Sequence, residues 1–128
     1  MYCRNVRDFT AACEKNLPSH PVLMSDEKIT FITNMVADEM KELRESKTIA
    51  EQADALVDAV YYLCDSAVRH GVNLDPLFRI VHNANLKKIV NGSVLRRSDG
   101  KILKPADWED PEEALSAEIQ RQIQDGAF

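Results

Sequence analysis

Carboxylates on the second predicted helix are the first residues of this sequence that could do chemistry. Glu39 and Glu42 lie three residues apart in the segment that follows Ser25. At about 100° per residue, Glu39 falls within the apolar stripe of that segment, and Glu42 lies on its shoulder. A carboxylate that faces a core is costly unless it is paired or binds a metal. Glu39 therefore indicates either a cation site or an ion pair with a lysine on the helix flank.

A second acidic group lies on the following predicted helix. Its members recur at spacings of three, four and seven, which places them on one stripe, and they are Glu51, Asp54, Asp58 and Asp65. Like charges at i and i+4 repel on an isolated helix, so the stripe either faces solvent or binds a cation. Glu51 also has a local role, because it forms a capping box with Thr48.

The two helices that carry these acids are predicted to form an antiparallel hairpin. Ser25 caps the first, which runs to about Ser46, and the capping box at Thr48 opens the second, which runs to His70 and stops at Gly71. A connection this short joins antiparallel neighbours. The pairing predicts a hard oxygen site, suited to Mg²⁺ or Mn²⁺, formed by Glu39, Glu42, Asp54 and Asp58. The sequence has no Glu-x-x-His pair, which disfavours a di-iron redox site.

Three further helices and an ordered loop complete the predicted fold. The helices cover about residues 4–16, residues 75–90 and a region after residue 110, and Asp75 and Asp110 are predicted to cap the last two. Residues 93–108, with Asp99-Gly100 at a turn, predict a short hairpin or an ordered loop. We therefore expect an all-α bundle of four to five helices with a C-terminal ordered loop, in one domain over residues 1–128.

A compact basic segment follows the predicted fourth helix. Between Lys87 and Lys104 the sequence has six basic residues and one acid, Asp99, whereas the whole chain has a net charge of −5. Basic side chains beside an amide and an aromatic ring are suited to a polyphosphate, a sugar and a base, although such a loop can also serve solubility alone. The candidate ligands are Asn85, Lys88, Arg97, Lys101, Lys104 and Trp108.

Composition and cysteine usage limit the class of protein. Hydrophobic residues make up 45% of the chain and charged residues 29%, as in soluble globular proteins. No apolar run approaches the roughly 20 residues of a membrane span, and the N-terminus lacks the apolar region of a signal peptide. The three cysteines lack CxxC spacing, which favours free thiols in a reducing compartment. We expect a cytoplasmic protein with no membrane partner, and the negative net charge argues against nucleic-acid binding.

Two acidic motifs and two downstream segments together resemble one superfamily. Residues 39–42 match an ExxE motif, residues 51–54 have the letters of an ExxD motif, and Asp58 precedes an Ala-Val-Tyr-Tyr run similar to the context of that second motif. Residues 81–88 and 99–108 look like those of short members. The superfamily is that of the MazG-like all-α nucleoside triphosphate pyrophosphohydrolases, which includes phosphoribosyl-ATP pyrophosphohydrolase and the dimeric dUTPases.

The resemblance implies Mg²⁺-dependent hydrolysis of a nucleoside triphosphate, in particular a dNTP, to the monophosphate and pyrophosphate, as in nucleotide-pool house-cleaning. Under it, the metal ligands are Glu39, Glu42, Asp54 and Asp58. Glu39 is catalytic together with Asp38 or Glu51, one of which would orient the attacking water. It also implies a homodimer or homotetramer, because one helical hairpin makes half of a four-helix bundle.

The same resemblance gives the basic segment its role. Lys88, Arg97, Lys101 and Lys104 would neutralise the triphosphate and the leaving pyrophosphate. Asn85 would read the base or the sugar, and Trp108 would cover it. Two alternatives remain open at this point. One is the same chemistry on phosphoribosyl-ATP, and the other is a non-catalytic helical module for dimerisation or binding.

Overall fold

The computed structural model describes residues 1–128 and contains five helices. They are α1 (Tyr2–Cys13), α2 (Asp26–Glu45), α3 (Ile49–Arg69), α4 (Leu74–Leu86) and α5 (Glu112–Asp125). The structure has no strand, and its only β-type pairings are two isolated bridges within residues 90–102. The predicted all-α class is therefore confirmed. None of the helices combines the length and apolarity required to cross a membrane.

Helices α2 and α3 form the predicted hairpin. The Ser25 hydroxyl accepts a hydrogen bond from the backbone N–H of Lys28 at 3.2 Å and caps α2. At the start of α3, the Thr48 hydroxyl accepts from the Glu51 N–H at 3.1 Å, and the Glu51 carboxylate accepts from the Thr48 N–H at 3.2 Å. Both caps were predicted from local sequence, and they are confirmed. Between them, residues 46–48 return the chain so that α2 packs against α3.

A small apolar core attaches α1 to the C-terminal half of α3. Its fully enclosed members are Cys3, Val6, Cys64 and Val68. Burial raises the pKa of the Cys3 thiol to about 11, so this thiol stays protonated at neutral pH and serves packing. Half-buried side chains complete the cluster, and they are Leu17, Ala67, Leu74 and Phe128. The core therefore holds together the starts of α1 and α4, the end of α3 and the C-terminus.

Helices α4 and α5 form a second hairpin, whose tip is the basic segment. The side chain of Gln122, at the end of α5, is fully buried and bonds both the N–H and the C=O of Asn73 at 3.0 Å, just before α4. At the other end, the Trp108 indole N–H donates to the Ala84 carbonyl at 2.7 Å. The start of α4 thus lies beside the end of α5, and the two helices are antiparallel.

The predicted caps of α4 and α5 are wrong. Asn73, not Asp75, caps α4, and its side chain accepts from the Asp75 N–H at 3.0 Å. At α5, Pro111 takes the cap position without a side-chain bond, while the Asp110 carboxylate accepts from the Glu112 N–H at 2.9 Å. Neighbouring Asn and Asp residues can each accept from a helix N-terminus, and the tertiary position of the chain selects one of them.

Two helix ends also differ from the prediction. α4 ends at Leu86 rather than Val90, because the backbone turns at Lys87 and Lys88, and α1 ends at Cys13 rather than Asn16. The earlier end of α4 places Lys88 in the loop that follows it. Within that loop, the predicted pairing around Asp99-Gly100 is limited to a single bridge between Arg96 and Ile102.

Asp75 caps α1 instead of α4. Its carboxylate accepts hydrogen bonds from the backbone N–H of Cys3 at 3.0 Å and of Arg4 at 3.1 Å, and it pairs with the Met1 amino group. Burial opposes ionisation of Asp75, but these donors outweigh it and hold the pKa of Asp75 below its ordinary value. Asp75 therefore joins the first turn of α1 to the first turn of α4.

We expect Asp75→Asn to lower the free energy of unfolding at neutral pH by about 1 kcal/mol, because charge-assisted bonds to the α1 N-terminus are lost. Since folding lowers this pKa, the carboxylate stabilises the fold fully above its unfolded-state pKa. That stabilisation disappears as the pH falls through the folded-state pKa. Urea unfolding of the wild type and the variant should therefore differ at neutral pH and converge in acid. Asp8→Asn, at an exposed position of α1, should show no such pH-dependent difference.

Candidate active site

Three carboxylates meet between α2 and α3. Glu39 and Glu42, one turn apart on α2, face Asp58 on α3, and one oxygen from each lies within 4.8 Å of the others. Glu39 is only 8% exposed, Asp58 is half-buried and Glu42 is exposed. We call these three residues the acidic cluster. Its depth increases from Glu42 at the surface to Glu39 inside the hairpin, so the cluster opens to solvent on one side.

The electrostatics of the acidic cluster are those of an uncompensated anionic site. The Oε2 atom of Glu39 is buried and has no hydrogen-bond partner. Burial raises the pKa of Glu39, and the adjacent carboxylate of Glu42 and then those of Asp58 and Asp54 raise it further. A divalent cation bound by several carboxylate oxygens would supply both the missing partner and the missing positive charge. The residues present therefore fit a divalent cation.

The structure brings together three of the four predicted metal ligands. Asp54 lies one turn before Asp58, is exposed, and acts on Glu39 through its charge without joining the group of three. The two predicted water-orienting residues lie outside the group. Asp38 is exposed on α2, next to Glu39. The carboxylate of Glu51 is engaged by the backbone N–H groups of Lys47, at 2.6 Å, and Thr48.

A cavity of about 580 Å³ adjoins the acidic cluster, and Asp58 belongs to both. It lies among α1, α2 and α3, and four aromatic side chains line it, namely Phe9, Phe31, Tyr61 and Tyr62. Phe9 packs edge-on against Tyr61 with ring centroids 6.0 Å apart, yet Phe9 and Phe31 remain 56% and 58% exposed. The cavity thus offers aromatic faces to a planar ligand at the edge of the carboxylate group.

The polar wall of this cavity is held in a fixed arrangement. Asp65 accepts hydrogen bonds from the Thr10 hydroxyl at 2.6 Å and from Arg69 Nε at 2.7 Å, while Arg69 also binds Glu14 at 3.0 Å. The hydrogen bond with Asp65 raises the pKa of Arg69, which stays cationic. Lys28 on α2 also lines the cavity. Polar groups held by hydrogen bonds, those of Asp65 and Arg69, therefore lie beside the aromatic side chains.

The residues of this cavity could not be predicted from the sequence. In the sequence, the tyrosines that follow Asp58 on α3 appear only as part of a motif, and Phe9 is an apolar residue of the first helix. These aromatic side chains come together only because of the way α1 packs against α2 and α3. No helical periodicity encodes that crossing, so the only local signal was the position of Tyr62 one turn after Asp58.

The basic segment is ordered by contacts within its own hairpin. Lys88 Nζ and Lys104 Nζ each lie 5.0 Å from the centre of the Trp108 ring, which is itself bonded to Ala84. Arg97 forms two hydrogen bonds with Asp99, at 2.9 and 2.5 Å, which lowers the pKa of Asp99. Trp108 therefore anchors the segment to α4, and its ring contacts two of the predicted phosphate ligands, Lys88 and Lys104.

Several predicted substrate ligands keep exposed side chains. Asn85 lies on the exposed side of α4, one residue before the helix ends. Lys101 and Lys104 are exposed in the loop that follows, and Arg97 is exposed but forms an ion pair with Asp99. None of these residues lines the cavity beside Asp58. Within one chain, the predicted site is thus divided between the α2–α3 hairpin, which carries the acids, and the α4–α5 hairpin, which carries the bases.

The chain matches one known protein family. The family model described as phosphoribosyl-ATP pyrophosphohydrolase matches residues 6–85, which is more than half of the chain. The match spans the α2–α3 hairpin with the acidic cluster and ends at Asn85, before most of the basic segment. No individual curated protein matches the chain.

Proposed function

Because the chain belongs to the phosphoribosyl-ATP pyrophosphohydrolase family, within the MazG-like all-α superfamily, we propose that it hydrolyses a nucleoside triphosphate to the monophosphate and pyrophosphate. The family consists of hydrolases that cleave phosphoric anhydrides in nucleotide-like substrates, and its members typically depend on divalent metals. Beyond what the family indicates, we propose that the substrate is a dNTP, that the metal is Mg²⁺, and that the enzyme acts on the cytoplasmic nucleotide pool.

One observation carries the proposal, namely a buried carboxylate oxygen without a partner beside an aromatic cavity. Glu39 Oε2 is enclosed among further carboxylates, which is unfavourable unless a cation is bound there. The cavity that shares Asp58 is within the size range of small-molecule sites, about 300–1,000 Å³. A metal–triphosphate group at the acids and a base in the cavity account for both features.

The acids have distinct roles in this proposal. Glu39, Glu42 and Asp58 would hold Mg²⁺, and Asp54 would add negative charge at its exposed side. When bound, Mg²⁺ would screen the phosphate oxygens and lower the pKa of the attacking water. Asp38 is the residue we propose to orient that water and accept its proton. Glu51 is the less suited of the two candidates, because its carboxylate would have to leave the α3 cap.

The cavity is proposed to bind the base. Stacking of a base on an aromatic side chain contributes about 1–3 kcal/mol, and Tyr62 and Phe31 offer such surfaces beside Asp58. Lys28 and the Asp65–Arg69 pair supply a donor and fixed polar edges for base discrimination. The basic segment is proposed to neutralise the leaving pyrophosphate through Lys88, Arg97, Lys101 and Lys104, with Asn85 at the sugar and Trp108 as their anchor.

A second candidate substrate is phosphoribosyl-ATP, which the description of the matched family favours. The chemistry is the same, since pyrophosphate leaves from a triphosphate chain in both cases. The two differ in the adenine ring, which in phosphoribosyl-ATP carries a second ribose phosphate. Direct comparison of turnover therefore separates them, and the acidic cluster serves either.

The test is release of pyrophosphate from a panel of dNTPs, NTPs and phosphoribosyl-ATP with Mg²⁺. We expect stoichiometric monophosphate and pyrophosphate, with the highest kcat/KM for a dNTP. Release of orthophosphate, or turnover of none of these compounds, would overturn the proposal. A non-catalytic helical module would in addition gain no thermal stability from Mg²⁺ with a nucleotide, whereas the enzyme gains it by linkage.

A further inference from the structure

We propose that His70 determines which bases the cavity beside Asp58 accepts, because its ring nitrogen Nε2 accepts a hydrogen bond from an exocyclic amino group such as that of cytosine or adenine. This inference rests on the proposed function and adds to it a substrate class, the nucleotides whose base carries such an amino group. It depends on the place of His70 in the cavity, on the tautomer of its ring, and on the polar groups around it.

His70 lies at the far end of a row of cavity residues on α3. The row has a spacing of four and consists of Asp58, Tyr62, Ser66 and His70, the last of which is the C-cap residue of the helix. Residues with this spacing follow one another along one side of a helix, and at 1.5 Å per residue the row is about 18 Å long. A metal-bound triphosphate at Asp58 and a base stacked on Tyr62 would therefore direct the far edge of the base towards His70.

A hydrogen bond fixes the tautomer of the His70 ring. Its Nδ1 atom lies 2.7 Å from the backbone carbonyl oxygen of Ser66. A carbonyl oxygen can only accept, so Nδ1 carries the proton and donates it. In the neutral ring, Nε2 then has a lone pair and no proton. No group of the protein donates to Nε2, and His70 is half-buried, so this nitrogen is available to a ligand as an acceptor.

The backbone of His70 is held in place as well. Its N–H donates to the Ala67 carbonyl at 3.0 Å, and its carbonyl accepts from the Val22 N–H at 2.9 Å. The next residue, Gly71, has a φ of +72°, and a Cβ atom there would collide with the His20 carbonyl oxygen. Only glycine fits this close approach of the preceding loop. The imidazole is therefore fixed both through its backbone and through its ring.

The other polar groups of the cavity do not distinguish an amino group from an oxo group. The hydroxyls of Ser66 and Tyr62 can turn either to donate or to accept. Lys28 and Arg69 only donate, and every base offers an acceptor to them. Both oxygens of Asp65 already accept hydrogen bonds from neighbouring side chains. At this end of the cavity, the imidazole Nε2 is therefore the acceptor that cannot become a donor while the ring is neutral.

An amino group and an oxo group interact with this acceptor in opposite ways. The amino group of cytosine or adenine can donate an N–H to the lone pair of Nε2. The oxygen at the same position of uracil or hypoxanthine would instead direct its own lone pairs at that nitrogen, and both groups would lose their hydrogen bonds to water. For a neutral hydrogen bond at a half-buried residue, we expect a preference for the amino base of about 10-fold.

Two substitutions separate the roles of the two ring nitrogens. In His70→Asn, the side-chain amide takes the place of Nδ1 and can still donate to the Ser66 carbonyl, while the group at Nε2 is lost. In His70→Gln, the amide takes the place of Nε2, but it can turn to donate as well as to accept. If His70 served only to support the end of α3, His70→Asn would leave the choice of base unchanged.

The test is kcat/KM for two matched pairs, dCTP with dUTP and dATP with dITP, at pH 8, where imidazole side chains are usually neutral. We expect the wild type to prefer the amino member of each pair by about 10-fold. His70→Asn should abolish the preference by lowering kcat/KM for the amino member. His70→Gln should abolish it by raising kcat/KM for the oxo member. A wild type without the preference, or a preference that survives in His70→Asn, would overturn the inference.

Binding of the non-hydrolysable α,β-imido analogues of dCTP and dUTP separates this inference from the proposed function. We expect the ratio of their Kd values to be about 10 in the wild type and close to 1 in His70→Asn. Turnover of dNTPs with a ratio that His70→Asn does not change would refute the role of His70 alone. The expected ratios without turnover of any dNTP would refute the proposed function alone, and binding of neither analogue would refute both.

Discussion

Glu39→Gln is expected to lower the rate of pyrophosphate release on the order of 1,000-fold or more, because the innermost proposed ligand of the metal loses its charge. The same substitution should leave the melting temperature of the metal-free protein unchanged or raise it. Glutamine has the same shape and removes a buried negative charge that has no partner in the structure. Loss of function with retained or increased stability is the signature of a residue kept for binding rather than for folding.

The matched control is Glu45→Gln. Glu45 is the last residue of the same helix, is exposed, and lies outside the acidic cluster. It should retain wild-type turnover and the full rise in melting temperature with Mg²⁺. Steady-state pyrophosphate release and thermal melts with and without Mg²⁺ measure both quantities. If Glu39→Gln kept its turnover and its response to Mg²⁺, Glu39 could not be a ligand.

The features that could be predicted from the sequence are those set by neighbours along the chain. The inward position of Glu39 followed from helical periodicity alone, because the angle between residues on one helix is fixed. The α3 capping box and the α2–α3 hairpin followed from a four-residue pattern and a short connection. Each of these depends on a few adjacent residues, and the structure has each one in place.

The features that could not be predicted depend on how separate elements cross. Asp75 and Asn73 are both good helix caps, and only the position of α1 beside α4 assigns Asp75 to α1. Asp54 and Asp58 lie on one stripe of α3, but the axial offset of α2 places Asp58 at the level of Glu39. Such offsets are set by side-chain packing between helices, which a single-helix pattern does not contain.

The division of the site between hairpins explains the odd distribution of charge along the chain. A cluster of carboxylates and a basic segment in one small domain would attract each other and pair if they could meet. The structure instead pairs Arg97 with Asp99 and stacks Lys88 and Lys104 on Trp108. The cluster thereby keeps an uncompensated negative charge, as the proposed metal site requires.

Ser66→Phe is the substitution expected to block the nucleotide while sparing the metal. Ser66 lines the cavity two turns beyond Asp58, so that a phenyl ring at this position would occupy the space proposed for the base. Loss of stacking, worth roughly 1–3 kcal/mol, should lower kcat/KM by roughly 5- to 150-fold. The loss should appear mainly in KM, since the base binds equally in the ground state and the transition state.

The control for this substitution is Ser116→Phe, which places the same ring on an exposed position of α5, away from the cavity. It should leave kcat and KM unchanged. Both variants should keep the rise in melting temperature that Mg²⁺ gives without nucleotide, because the acidic cluster is untouched in each. Unchanged KM in Ser66→Phe would mean that the base binds elsewhere, whereas a lost response to Mg²⁺ would mean that the ring had displaced Asp58. The pair therefore separates the proposed base site from the proposed metal site, both of which include Asp58.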